Sequence, residues 1–84
     1  EAATCLSKAI ALGKSTIEKG LSAQELTSCM KKIIAAEPLA KIDYLEIVDL
    51  NTLQPVEYIE HSVLVAMAVF FGKTRLIDNF IYEM

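Results

Sequence analysis

At 84 residues the chain has room for one modest core, and folding at this size removes only about 60 to 65% of the unfolded chain's surface from water. Hydrophobic residues make up 54% and charged residues 23%; that balance excludes disorder, no Gly/Ser- or Pro-rich stretch marks a linker, and residues 1–84 read as a single domain. The net charge of -3 is carried with the bases scattered along the chain, so no basic stripe exists for a phosphate backbone and nucleic acid is not expected as a partner.

From Glu1 to Lys19, Leu6, Ile10, Gly13 and Ile17 fall at steps of four, three and four, one stripe of a helix. Gly20 supplies the left-handed conformation that ends helices. Ser22-Ala-Gln-Glu25 is a capping box: the Ser22 hydroxyl accepts the Glu25 amide hydrogen while the Glu25 side chain reaches back. The second helix carries Leu26, Met30, Ile33 and Ile34 on one face and stops before Pro38, which bars its predecessor from helical geometry. The short break predicts an antiparallel helix pair.

The period then changes. Ile42 to Val48 is rich in branched and aromatic residues with partial alternation, the mark of a strand; one irregularity is that Leu45 and Ile47 share a parity with Asp43 and Asp49. Asp49 to Pro55 is dense in turn formers and leads into an irregular connection through Glu60. Val63 to Phe71 is apolar on both parities, as in a strand covered on both faces or central in a small sheet. Gly72-Lys73 suits a two-residue type II′ hairpin turn, with Thr74 to Ile81 as the returning strand. The fold class is therefore α+β: a two-helix antiparallel hairpin packed on a three-stranded antiparallel sheet, with the second sheet face left as an uncovered apolar surface.

The apolar run from Val63 is far short of the ~20 residues that cross a bilayer as a helix. It does not follow a positive amino-terminal segment, so no membrane role and a cytoplasmic setting are expected. In an antiparallel pair turning near Gly20, Cys5 and Cys29 sit at levels about 10 Å apart at ~1.5 Å per residue. That exceeds the ~7 Å a disulfide spans, and two reduced cysteines packing as small apolar groups follow.

His61 is the single histidine. Ser62 beside it makes no catalytic pair, because neighbours in extended chain point opposite ways, and His61 reads as a solvated connector residue. Gly72-Lys73-Thr74 has the ending of a phosphate loop, but position 67, where the loop requires glycine, is Met67, and a strand follows in place of a helix. Asp43, Glu46, Asp49 and Asp78 are spread over two strands and a turn; surface or capping roles fit them better than an Mg²⁺ site. Arg75 and Asp78 have opposite parities and do not pair locally, leaving either available for a charge-assisted bond to another domain. The residues themselves assign no catalytic group and no metal ligand.

Lys41-Ile-Asp-Tyr-Leu-Glu-Ile-Val-Asp49, Thr52-Leu-Gln-Pro-Val56 and Val69-Phe-Phe-Gly-Lys-Thr-Arg-Leu-Ile-Asp-Asn79, preceded by Ala36-Glu-Pro-Leu39, resemble the carboxy-terminal end of the pantothenate synthetases (pantoate-beta-alanine ligases). The block Gly72 to Asn79 is the most specific, and the resemblance runs over essentially the whole chain. It implies a two-domain cytoplasmic enzyme. In that enzyme a Rossmann-like amino-terminal domain binds ATP and pantoate, and a small carboxy-terminal domain closes as a lid. The implied chemistry uses ATP and Mg²⁺: the pantoate carboxylate attacks the α-phosphate to give pantoyl adenylate and pyrophosphate, and the β-alanine amine then displaces AMP to leave pantothenate, a coenzyme A precursor.

The family's nucleotide signatures do not transfer. One uses two histidines separated by two residues, and this chain has one histidine; the other uses a Ser-Ser-Arg run, and no two serines here adjoin. That run is expected just upstream of Glu1. The chain alone is accordingly expected to be inactive and to hold no cofactor. Its expected partners are its own amino-terminal domain and, in the parent enzyme, pantoate, β-alanine and ATP. On closure Lys73 and Arg75, at and just after the hairpin turn, are the residues expected to approach the triphosphate or the other domain. The alternative is a free-standing module that associates with itself or another protein through its open sheet face or edge strand, and a homodimer of the isolated piece is expected on the same grounds.

Overall fold

The computed structural model describes residues 2–83. The order is α1 (Ala2–Thr16), α2 (Ala23–Ala35), β1 (Ala40–Asp49), β2 (Val63–Phe71) and β3 (Thr74–Tyr82). The strands form one antiparallel sheet in the order β1-β2-β3. The two helices pack on each other and on one face of it, with contacts from α2 to β1 and from α1 to β3. The α+β reading holds, with elements shifted by a few residues at their ends.

Helix α1 ends at Thr16, three residues before the expected Lys19. Ile17 N–H still bonds Gly13 C=O at 2.9 Å, but the chain then turns through Gly20 at φ 91°, whose N–H donates to Ile59 C=O at 2.6 Å. Only glycine takes that φ without strain. The buried face of α1 is Cys5, Leu6, Ala9 and Gly13, with Ile17 beyond. Gly13 lets the layers approach closely: a Cβ there would lie 3.0 Å from Met30 Sδ and 3.0 Å from Phe80 Cζ. Helix α2 opens on Ser22, whose hydroxyl accepts from Glu25 N–H at 3.5 Å, and buries Ala23, Leu26, Met30 and Ile34.

The inner sheet face completes the core with Leu45 and Ile47, then Val63, Val65, Met67, Val69 and Phe71, then Phe80. The uneven parity of β1 has a definite cause. Its pairing with β2 steps from Ile42↔Val69 to Tyr44↔Ala68, so Asp43 is an extra residue, a β-bulge. Ala40 and Ile42 point inward before it and Leu45 and Ile47 after it, while Asp43 and Tyr44 both point outward.

The connection from Pro55 to Glu60 is more ordered than an irregular loop. Val56 N–H donates to Ile47 C=O at 3.2 Å, Ala23 N–H to Glu57 C=O at 2.9 Å, and Ile59 N–H to Leu21 C=O at 2.9 Å. With the bridges Val48↔Pro55 and Ser22↔Tyr58, this strap ties the end of β1 to the turn between the helices. Ile59 in it has no exposed surface.

Candidate functional site

Two-residue hairpins need φ > 0 at the first loop position for a type II′ turn and at both for type I′. Gly72 has φ 64°, Lys73 is not among the positive-φ residues, and Phe71 pairs with Thr74, which is the type II′ sign pattern. Lys73 is exposed at the tip. Arg75, the second residue of β3, lies opposite Phe70, which in turn lies opposite Lys41. Directly opposed residues of antiparallel strands share a face, so Lys41, Phe70 and Arg75 all project from the outer face near this turn.

The bulge brings Asp43 into the same place. Arg75 Nη2 and Nε donate to Asp43 Oδ2 at 2.8 and 3.1 Å, and the guanidinium lies 6.0 Å from the ring centres of both Tyr44 and Phe70. A planar guanidinium is suited to this combination of a two-point grip and aromatic neighbours. Arg75 and Asp43 are each 41% exposed, so the pair fixes the direction of a side chain more than it stabilises the fold. An open cleft of about 390 Å³ lies between the helices, but the larger one, ≈ 570 Å³, is here, lined by Leu39, Lys41, Ile42, Asp43, Phe70 and Gly72. Lys73 and Arg75 thus end at one corner of the sheet, with Lys73 at the tip and Arg75 held by Asp43.

The other sequence candidates disperse. Asp49 caps its own turn, accepting from Asn51 N–H at 2.8 Å and Thr52 N–H at 3.0 Å. These bonds, Thr52 first and Asn51 second, hold its carboxyl below the ordinary value. Within that turn Leu53 adopts φ 60° and is 62% exposed. Asp78 takes Asn79 N–H at 2.8 Å, and its strand position faces Met67 on the other sheet face from Asp43. No group of three or more potential metal ligands occurs among the described residues. His61 is exposed, and Ser62 C=O accepts from Leu50 N–H at 3.0 Å. Cys5 and Cys29 are both free thiols. Cys5 Sγ lies 3.8 Å from Ile33 and Ile34 C=O, beyond the level of Cys29 on α2. Burial pushes the Cys5 thiol up, with the Glu37 carboxylate adding to it.

The Arg75–Asp43 partnership is what sequence reasoning missed. Its signal was the broken alternation around Asp43, which a bulge explains and strand period alone does not. Among the described residues no helix is long and apolar enough to cross a membrane. The turn after β2 leads into a strand, not into the helix that a phosphate loop requires.

The described residues thus form a two-layer α+β unit with an arginine held by Asp43 beside an open cleft. The family described as pantoate-beta-alanine ligase matches residues 1–81. Pantothenate synthetase from Clostridioides difficile (strain 630) is 53% identical over 100% of this chain and 30% of its own length. That from Enterococcus faecalis (strain ATCC 700802 / V583) is 51% identical over 98% of this chain and 29% of its own. A crystal structure of the Thermus thermophilus enzyme superposes with a TM-score of 0.77 at 29% identity, covering 90% of this chain and 28% of that one. The chain belongs to the pantoate-beta-alanine ligase family, and it spans about 30% of the length of the relatives it matches.

Proposed function

We propose that the chain is the carboxy-terminal lid domain of a cytoplasmic pantothenate synthetase that joins pantoate and β-alanine with ATP and Mg²⁺. The carrying observation is the family match over residues 1–81 with relatives of which it covers only 30%. The one histidine in the sequence supports the same reading, since the family's paired-histidine signature must then come from the larger part of the enzyme. A lid serves acyl-adenylate chemistry by excluding water and fixing the closed geometry. Within the lid, Lys73 and the Asp43-held Arg75 are the groups that meet the triphosphate or the opposing domain.

The test compares the chain alone with a chimera in which it replaces the matching segment of the Clostridioides difficile enzyme. The chimera is expected to form pantothenate and AMP, and the chain alone to bind neither ATP nor pantoate in calorimetric titration. Tight ATP binding by the chain alone overturns the reading. In the active chimera Lys73→Ala with Arg75→Ala is expected to raise KM for ATP; unchanged turnover and KM remove both residues from the site. A second reading, a self-associating module, is favoured by the apolar outward residues of β2 (Leu64, Ala66, Ala68 and Phe70) with the exposed Ile77 and Ile81 of β3, and predicts a concentration-dependent dimer in sedimentation.

A further inference from the structure

The backbone bonding of the sheet leaves one edge open. Across a two-residue hairpin the flanking residues exchange both backbone bonds, and bonded pairs then alternate along the antiparallel ladder. Phe71 and Thr74 flank this turn, and the register of β2 with β3 runs on without a shift. Thr74, Leu76, Asp78, Phe80 and Tyr82 therefore turn their N–H and C=O groups to β2, while Arg75, Ile77, Asn79 and Ile81 turn theirs to the free side. Unpaired edges template strand addition, and proteins blunt them with proline, lysine, bulges or a covering segment. The β1 edge has three such devices: Lys41, the bulge at Asp43, and the strap, in which Gln54 C=O accepts Asp49 N–H at 2.9 Å and Val56 N–H donates to Ile47 C=O at 3.2 Å. Strand β3 runs for nine residues with no proline, lysine or bulge. Among the described residues, no backbone group outside β2 bonds it.

One outward donor is nevertheless occupied. Asn79 N–H, in the middle of the free side, donates to Asp78 Oδ1 at 2.8 Å. By parity Asp78 belongs to the helix side of the sheet, yet it is exposed. With Ile10, Ala11 and Lys14 of α1 it lines an open cleft of about 350 Å³ beside the strand edge, where the helix-side side chains of an added strand would lie. We propose that Asp78 guards this edge: its carboxylate, bonded to Asn79 N–H, keeps β3 from pairing with the β3 of a second copy of this chain. An antiparallel neighbour covering the middle of β3 needs that N–H for its own carbonyl, so it must break a charge-assisted bond and strip water from the carboxylate. A second copy is the partner against which the block acts most strongly. Identical edges meet about a two-fold axis, so the block is presented twice and two like charges approach in one ladder. The side chains otherwise suit such a pair: with the axis at Asn79, Ile77 of each copy lies opposite Ile81 of the other, and these residues are 59% and 53% exposed. The guard role does not depend on the lid reading, because it concerns an edge and not the hairpin turn.

Residue-resolved amide exchange of the chain and of its Asp78→Ala variant, over a series of concentrations, tests this. In the parent, the amides of Arg75, Ile77 and Ile81 are expected to exchange fast at every concentration. In Asp78→Ala they are expected to slow by about tenfold or more as concentration rises, with a dimer appearing in sedimentation. Asp78→Asn loses the charge at nearly the same size and is expected to shift the same way by a smaller factor. Amides that stay fast in both variants overturn the proposal. Concentration-dependent protection already present in the parent also overturns it, since the edge is then unguarded. Adding Ile77→Pro to Asp78→Ala deletes an outward donor where an edge strand tolerates proline, and is expected to restore fast exchange at Arg75 and Ile81. A dimer that survives this addition is joined elsewhere and overturns the proposal. In the Clostridioides difficile chimera the same segment, followed by mass spectrometry, is expected to exchange fast; protection there at every concentration gives the edge to the rest of the enzyme and overturns the guard role.

Discussion

Single residues here act mainly through short-range bonds, and their titration follows from those bonds. Asp49 is held below its ordinary value of 3.8 by the amides of Thr52 and Asn51. A carboxyl with a depressed folded-state value binds protons more readily when unfolded. Its contribution is therefore full above pH 3.8 and is lost as pH falls through the lower folded-state value. Thermal melts of Asp49→Ala are expected to lie below those of the parent at neutral pH and to converge with them in strong acid. Curves that stay parallel at all pH values would contradict the cap. The two thiols are expected to separate in brief N-ethylmaleimide labelling: Cys29 reacts first, while Cys5, 8% exposed and with its thiol pushed up by burial, reacts slowly because the thiolate is the nucleophile. Comparable rates in mass spectrometry would show that the helix pair opens readily at that end.

At the scale of elements, the strap from Pro55 to Glu60 contributes more than its lack of secondary structure suggests. Ile59 is fully buried, and the backbone on both sides is bonded to Leu21, Ala23 and Ile47. Ile59→Ala is expected to cost about 2 to 5 kcal/mol in chemical denaturation, as for other aliphatic core truncations. A loss below about 1 kcal/mol, as at an ordinary surface site, would show the strap to be dispensable. The strap also marks a limit of sequence reading. Ser22 and Gly72 were legible because their bonds and φ angles are settled within a few residues. Ile59 sits in a stretch without a sustained period, and its burial depends on two segments far away in the chain. The bulge at Asp43 left a trace in broken alternation, but its partner Arg75 was visible only once β1, β2 and β3 were in register.

For the whole molecule, the helix pair and the sheet meet without spare room at Gly13, where α1 faces Met30 of α2 and Phe80 of β3. Gly13→Val forces one of these side chains aside and is expected to destabilise by about 1 to 3 kcal/mol. At this chain length that lowers Tm by about 4 to 8 °C per kcal/mol in calorimetry. An unchanged Tm would mean that Phe80 swings away freely and that the two layers are loosely joined there. The two-layer arrangement itself was legible, because helical and strand periods occupy separate halves of the chain. The apolar outer row of β2 was legible too, in its doubly apolar run. Its direction relative to the helices needed the register, since a strand apolar on both parities does not say which set faces inward.

The bulge in β1 has one more consequence, for how this strand tolerates a lost codon. Removing a residue from an ordinary strand reverses every side chain on one side of the cut. Here the inward set is Ala40 and Ile42 before Asp43, and Leu45 and Ile47 after it. Excising Asp43 leaves Ala40, Ile42, Leu45 and Ile47 in strict alternation, all still inward. The deletion variant is expected to keep a cooperative melt and native circular dichroism, while Arg75 loses the carboxylate that aims it; collapse of the fold would show that the bend, and not the anchored arginine, is what the extra residue supplies.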